Sequence, residues 1–389
     1  MKRITLGELC HPNARQLKAN EETMIDYIDI ASVDNVSKKI KGFQTMPFGE
    51  APSRARKSVQ NGSILVSTVR PNLNAVAILE EGTPNISVAS TGFCILDCKD
   101  STDKRFVFNF CKSKRFVNDM VSQATGASYP AVNDKIVRNS LVPAYSYEEQ
   151  CRIGQILDKV STLIETRTQE LKSLDDLIKA RFVEMFGDPV SNPYKLPMVF
   201  LGELSELITK GASPSWQGFN YTDDPSQTLF LTSENVKNGY IDLSSPKYIE
   251  DKFNTKQKRS IVHKGDFLIN IVGASIGRAA QFNLNCKANM NQAAALVRIN
   301  DNRIRDKYLL TYLNSDKAQL MYNSMKSDTG RANLSLKDIS ELSILLPSIE
   351  EQLIFEKFVS QIDKSKATVQ KALDETQLLF DSLMQQYFG

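Results

Sequence analysis

The chain of 389 residues is poor in the groups that most enzymes use. It has two histidines, His11 and His263, and one tryptophan, Trp216. Two histidines exclude a histidine-rich metal site. No apolar run approaches the ~20 residues that cross a bilayer, and the stretch Met1–Glu8 has no signal-peptide core, so a cytoplasmic location is expected. The six cysteines, Cys10, Cys94, Cys98, Cys111, Cys151 and Cys286, form no CxxC pair. Cys94 and Cys98 lie in a strand-like run with no second pair to match. Buried thiols in a reducing compartment are expected there, not zinc.

Catalytic signatures are missing as well. A Walker loop needs a lysine followed by Ser or Thr to cradle phosphates. The nearest stretch, Gly273–Arg278, has the wrong spacing and reads as a tight turn between strands. No GxGxxG and no Asn/Asp-Pro-Pro-aromatic string occurs. Asp97-Cys98-Lys99 could pass for half of a nuclease motif, but no Pro-Asp precedes it at suitable range. No catalytic residue and no bound metal is expected. The net charge is only +3, yet its distribution is uneven: +5 over residues 1–147 and +3 over 196–347, against −2 over 148–187 and −3 over 348–389. Basic mixed segments beside acidic helical ones are a mild nucleic-acid signature.

What the chain does have is a repeat of itself. Leu6-Gly7-Glu8-Leu9 recurs as Leu201-Gly202-Glu203-Leu204, and Gly62–Ser67 aligns with Gly265–Asn270. Thr125-Gly126 aligns with Thr329-Gly330, Pro143 and Glu148-Glu149-Gln150 with Pro347 and Glu350-Glu351-Gln352, and Phe186-Gly187 with Phe388-Gly389. Five matches in one order point to duplication. Each half opens with a mixed segment carrying period-two runs, such as Ser63–Val69 and Asp266–Val272, punctuated by Gly and Pro.

Each half then closes with one long helix. From Tyr147 to Met185 there is no Pro and only Gly154, and apolar residues step by three and four through Leu157, Val160, Ile164, Leu171, Leu174, Ile178 and Met185. Val359, Ile362, Val369, Leu373, Phe380, Leu383 and Tyr387 repeat the pattern. This is a coiled-coil seam, interrupted at Arg167, Arg181, Lys366 and Thr376. Gly187 with Pro189 is a stop signal. The helices are expected to pack antiparallel, with apolar surface left for a partner. The expected division is 1–146, 147–187, 188–347 and 348–389.

The string Ala180–Pro189, followed by Asn192-Pro193 and Leu201–Leu204, resembles the junction in specificity (S) subunits of type I restriction–modification systems. The two Pro…Glu-Glu-Gln strings resemble that family's entry into its helices, and Leu378–Met384 is similar to its C-terminal segment. The resemblance covers the whole two-fold plan. It implies an α+β fold: two similar mixed target-recognition domains separated by two long antiparallel coiled-coil helices. It implies a non-catalytic subunit whose domains each read one half of an asymmetric bipartite site on double-stranded DNA. The helices would set the gap and dock two methyltransferase subunits. Those partners would use S-adenosylmethionine, and ATP-dependent restriction subunits would use ATP and Mg. On the residues alone, a protein-binding scaffold and a stand-alone DNA-modifying enzyme stay open.

DNA affinity comes from Lys and Arg on phosphates, and specificity from side chains on base edges. The basic candidates are Lys38, Lys39 and Lys41, then Arg54, Arg56 and Lys57, and in the second half Lys252, Lys256, Lys258, Arg259 and Lys264. Trp216 reads more readily as a local core anchor than as an exposed contact. Arg331 and Asn333, in the loop equivalent to Thr125–Tyr129, have the chemistry for guanine and adenine edges.

Overall fold

A computed structural model describes residues 2–12, 16–325 and 333–389. The first half contains β1 (Arg3–Thr5), α1 (Leu6–Leu9), β2 (Met24–Ile28), β3 (Gln44–Pro47), β4 (Ala55–Ser58), β5 (Ile64–Ser67), β6 (Val76–Ile78), β7 (Ile86–Ser90) and β8 (Phe93–Leu96). Then come α2 (Lys104–Lys112), α3 (Lys114–Gln123), α4 (Asp134–Asn139), β9 (Leu141–Pro143) and α5 (Tyr147–Phe186). The second half has β10 (Met198–Phe200), α6 (Leu201–Leu204), β11 (Ser205–Lys210), β12 (Tyr221–Thr222), β13 (Thr228–Leu231), β14 (Tyr248–Ile249), α7 (Lys252–Lys256), β15 (Phe267–Asn270), β16 (Ala279–Gln281), β17 (Ala288–Met290) and β18 (Ala294–Ile299). It ends with α8 (Asp306–Leu313), α9 (Asp316–Ser324), α10 (Leu336–Ser340), β19 (Ser343–Leu345) and α11 (Ile349–Phe388). By contacts the chain forms two units, residues 1–169 with 370–389 and residues 170–369.

In unit 1, β6-β5-β8 form an antiparallel sheet, and β3-β2-β7-β4 form a second sheet around the parallel pair β2–β7. β5 is buried at every position because both of its faces are covered. Ile64 and Val66 join a core with Phe106, Phe110, Leu157 and Phe388, while Leu65 meets Ile28, Phe93 and Ile95 on the other side. Unit 2 has the same connections. β16-β15-β18 repeat β6-β5-β8, and the parallel pair β13–β17 repeats β2–β7. β14 stands in the place of β3, and the Val262–Ala288 bridge in the place of β4. The Cys10–Cys98 bridge foreshadows the longer β11–β18 pairing.

The repeated strings have physical jobs. Leu6, Leu9, Leu201 and Leu204 are buried. Glu8 and Glu203 accept the backbone N–H of Thr5 (2.7 Å) and Phe200 (2.9 Å). A Cβ on Gly202 would lie 2.2 Å from Ser340 Oγ and 3.1 Å from the Ser340 carbonyl oxygen, so a side chain there would displace the Ser340 hydroxyl and crowd its backbone. Before each long helix a serine and a glutamate form a capping box, Ser146 with Glu149 and Ser348 with Glu351. The buried glutamines act as latches: Gln150 accepts the Asp103 N–H and Gln352 the Arg305 N–H. Phe186 packs on Tyr308 and Phe355, and Phe388 on Phe106 and Phe110.

Within unit 1, Tyr145 donates to the Tyr387 carbonyl and Arg167 to that of Ala372. Within unit 2, Phe186 meets Phe355 and Lys366 pairs with Asp175 at 2.5 Å. In each unit the contacts descend along α11 as they rise along α5, so the helices oppose one another there. Residues interrupting the seam find partners: the Ala372 carbonyl also accepts from Thr376 (2.6 Å), and Arg181 donates from Nη1 to Glu184 (2.8 Å), while its buried Nε has no hydrogen-bond partner among the described residues. Leu157, Val160 and Val359 are buried, whereas Ile164, Leu171, Leu174, Ile178, Ile362, Val369, Leu373, Phe380 and Leu383 are half-buried. Leu163, Leu177, Leu378 and Leu379 are exposed on the helices.

Candidate nucleic-acid interface

The chain between β3 and β4 leads through Arg54 into Arg56 and Lys57 of β4. The corresponding chain of unit 2, between β14 and the Val262–Ala288 bridge, carries Lys252, Lys256, Lys258 and Arg259. Two basic clusters chosen from sequence thus occupy the same place in the same topology. Their members differ in availability. Arg54 is exposed, and its carbonyl accepts from Thr91 N–H at 2.8 Å. Arg56 is half-buried, 5.2 Å over the Phe48 ring. Lys57 is turned inward, 16% exposed, and donates to Asp134 and to the Phe93 carbonyl, each at 2.6 Å.

Lys38, Lys39 and Lys41 have partners inside unit 1. Lys38 takes a left-handed backbone, φ 58°, and its ammonium reaches the Asn74 carbonyl at 2.5 Å. Burial holds its pKa below the usual lysine value. Lys39 pairs with Glu165 of α5 at 2.6 Å and Lys41 with Asp34 at 2.5 Å. Bonds from Lys41 and from the Ser37 and Val36 N–H groups keep the Asp34 carboxyl far below its ordinary range.

In unit 2, Lys252, Lys258, Arg259 and Lys264 are exposed and have no ion-pair partner among the described residues. Lys256 donates to the Gln217 carbonyl at 2.9 Å and lies 5.7 Å from the Phe219 ring. Those two residues belong to a turn whose start requires glycine: a Cβ on Gly211 would sit 1.7 Å from the Met290 carbonyl oxygen. Phe219 N–H closes on the Pro214 carbonyl at 3.0 Å, and the ring packs edge-on against Phe253 at 5.4 Å. Phe219, not Trp216, is therefore the core anchor. The same turn points Trp216 outward, 88% exposed, which corrects the sequence expectation. Beside it, Gln217, Gly218, Phe219, Lys252, Thr255 and Lys256 line an open concavity.

The polar loop of unit 1 closes on the end of β5 through the Val69–Ala131 and Thr125–Ala131 bridges. In unit 2, Val272 bridges Asn333, which is exposed; Arg331 lies outside the described residues. One residue pair was not singled out from sequence. Arg70, exposed and left-handed at φ 49°, lies 4.7 Å over the Tyr129 ring. The repeat carried the signal, because continuing the Gly62/Gly265 alignment sets Arg70 against Gly273, whose φ is 79°.

Other sequence candidates have structural roles. Gly273–Ser275 is a turn joining β15 to β16. Asp97 accepts from Ser63, and Lys99 donates to the Glu8 carbonyl at 2.7 Å. Cys10, Cys94 and Cys111 are buried, Cys98 and Cys151 half-buried and Cys286 exposed. No cluster of three or more His, Cys, Asp or Glu suited to a metal occurs among the described residues, and none of their helices is long and apolar enough to cross a membrane.

Residues 195–376 match the family described as type I restriction modification DNA specificity domain. That stretch lies in the second half of the chain, and the curated relatives similar to the chain are type I specificity subunits. Among its curated relatives, the type I restriction enzyme EcoBI specificity subunit of Escherichia coli is 22% identical over 315 residues, 75% of this chain and 66% of the relative. The StySPI specificity subunit of Salmonella potsdam is 22% identical over 297 residues, 72% of this chain and 63% of the relative. The matched part thus spans less than two thirds of those specificity subunits. Solved structures share the fold. A chain from work on complex assembly and conformational transition of the type I R-M system is 24% identical, with TM-score 0.61 and coverage of 100% of this chain and 97% of that one. The type I restriction-modification S subunit from M. genitalium is 15% identical, with TM-score 0.52 and coverage of 100% and 96%.

Proposed function

We propose that the chain is the DNA sequence-specificity subunit of a type I restriction–modification complex and is non-catalytic by itself. The observation that carries this reading is the equivalent placement of the two basic segments, Arg54–Arg56 and Lys252–Arg259, in two units of one topology. Each unit reads one half of a bipartite site. The units differ in sequence at equivalent places, so the half-sites differ and the site is asymmetric. The pattern of matched strings and matched strand connections supports descent from one duplicated unit. α5 and α11, each 40 residues and about 60 Å long at ~1.5 Å per residue, serve as an antiparallel coiled-coil spacer that sets the unread gap. Their exposed leucines suit docking of two methyltransferase subunits that bind S-adenosylmethionine, with restriction subunits supplying ATP- and Mg-dependent steps.

Trp216 provides the test, because it is the sole tryptophan and is 88% exposed. Titrating the whole chain with duplex DNA is expected to alter its intrinsic fluorescence, and binding is expected to weaken steeply with salt as counterions are released. Absence of a salt-dependent complex with any duplex, with the folded chain verified by circular dichroism, overturns the DNA reading.

A further inference from the structure

We propose that Arg70, clamped on Tyr129, reads a guanine edge in the half-site recognised by unit 1. The proposal rests on the DNA-specificity reading above and extends it to one residue and one base.

Arg70 takes φ 49° and ψ 61°, a left-handed conformation that L side chains disfavour. Unit 2 places Gly273 at the equivalent turn. Nothing inside the unit accounts for an arginine here, since its guanidinium has no hydrogen bond or ion pair among the described residues. The guanidinium lies over the ring of Tyr129, itself 67% exposed. Strain kept for an outward-facing side chain is the pattern of a contact residue.

The backbone holds the pair in place. Arg70 N–H donates to the Pro130 carbonyl at 2.7 Å, and Leu73 N–H returns to the Arg70 carbonyl at 2.9 Å. Asn74, left-handed as well at φ 47°, closes the turn on the Pro71 carbonyl at 3.0 Å. Backbone bonds link the Arg70 turn to the Arg54 segment. Thr68 N–H donates to the Gly92 carbonyl and Thr91 N–H to the Arg54 carbonyl, both at 2.8 Å. The exposed Arg54 thus belongs to a segment tied through Thr91 and Gly92 to the strand end that carries Arg70. With one face on the ring, the guanidinium keeps its N–H fork free, and that fork matches the O6 and N7 acceptors of guanine. Lysine cannot offer the fork.

The test carries Arg70→Gly, Arg70→Lys and Arg70→Gln into cells with the partner subunits, followed by modified-base sequencing. Glycine suits the left-handed turn, so the Tm of Arg70→Gly is expected to stay level or rise, which a structural role for Arg70 would not allow. Its methylated motif is expected to lose discrimination at one guanine of one half-site, on the order of 10–100-fold, with the other half-site unchanged. Arg70→Lys is expected to lose that base as well. Arg70→Gln keeps the readout should the glycine variant fail to assemble. An unaltered motif overturns the proposal, as does a uniform loss of affinity without change in base preference, which marks a phosphate contact only. A wild-type chain that confers no motif sinks the underlying reading instead.

Discussion

Asp26 on β2 is fully buried and still favours its charged form. Burial pushes its pKa up, but bonds from Thr45 Oγ (2.6 Å) and from Asn85 N–H (2.8 Å) and Nδ2 (3.1 Å) outweigh that and hold it below the usual carboxyl value. A depressed folded pKa stabilises above the unfolded value, and that contribution fades as pH falls through the folded value. Asp26→Asn is expected to destabilise by about 1–3 kcal/mol at neutral pH. The difference from wild type should shrink below pH ~4, as read by denaturant unfolding across pH. A gap that does not narrow in acid means the charge is not what matters. Single side chains were also where sequence reading was weakest. Lys57 and Arg54 look alike in sequence, yet one faces Asp134 and the other solvent. Trp216 faces out where a core anchor was expected, and Phe219 takes that place, because one turn decides which aromatic points inward.

Elements were more legible. The Glu-Glu-Gln strings carry the capping Glu149 and Glu351, local chemistry that a sequence records directly, whereas the Gln150 and Gln352 latches reach partners 47 residues away. The long helices follow from three-and-four spacing without proline, and continuous apolar runs follow from strands covered on both faces. Cross-strand partners were not legible, because pairing joins distant residues. Ser63 stands opposite Asp97 in unit 1, and at the same register Asp266 stands opposite Arg298 in unit 2, bidentate with both bonds at 2.8 Å. Asp266 is 2% exposed, so Arg298→Met strands a buried carboxylate and is expected to cost about 3–5 kcal/mol. The double variant Asp266→Ser with Arg298→Asp rebuilds unit 1's pair and is expected to recover most of that loss in chemical denaturation. No recovery means the two pairs are not interchangeable.

At the scale of the molecule, the proposed spacer gives a length prediction. Inserting four residues into both α5 and α11, about one turn or ~5 Å, is expected to widen the methylated gap by roughly one or two base pairs. Methylation mapping that returns the original spacing removes the helices from gap setting. The exposed helix leucines Leu378 and Leu379 belong to this scale too, since isolated helices would leave them as solubility liabilities.

The sequence by itself determined the repeat, the caps and the helical seams, because each depends on residues close in the chain or on spacing along it. Only the tertiary structure decided which cations keep a free charge and which aromatic faces out. It also decided which arginine carries backbone strain while its guanidinium makes no hydrogen bond or ion pair among the described residues. Those properties belong to neighbours brought together by β-pairing across tens of residues, and no local pattern encodes them.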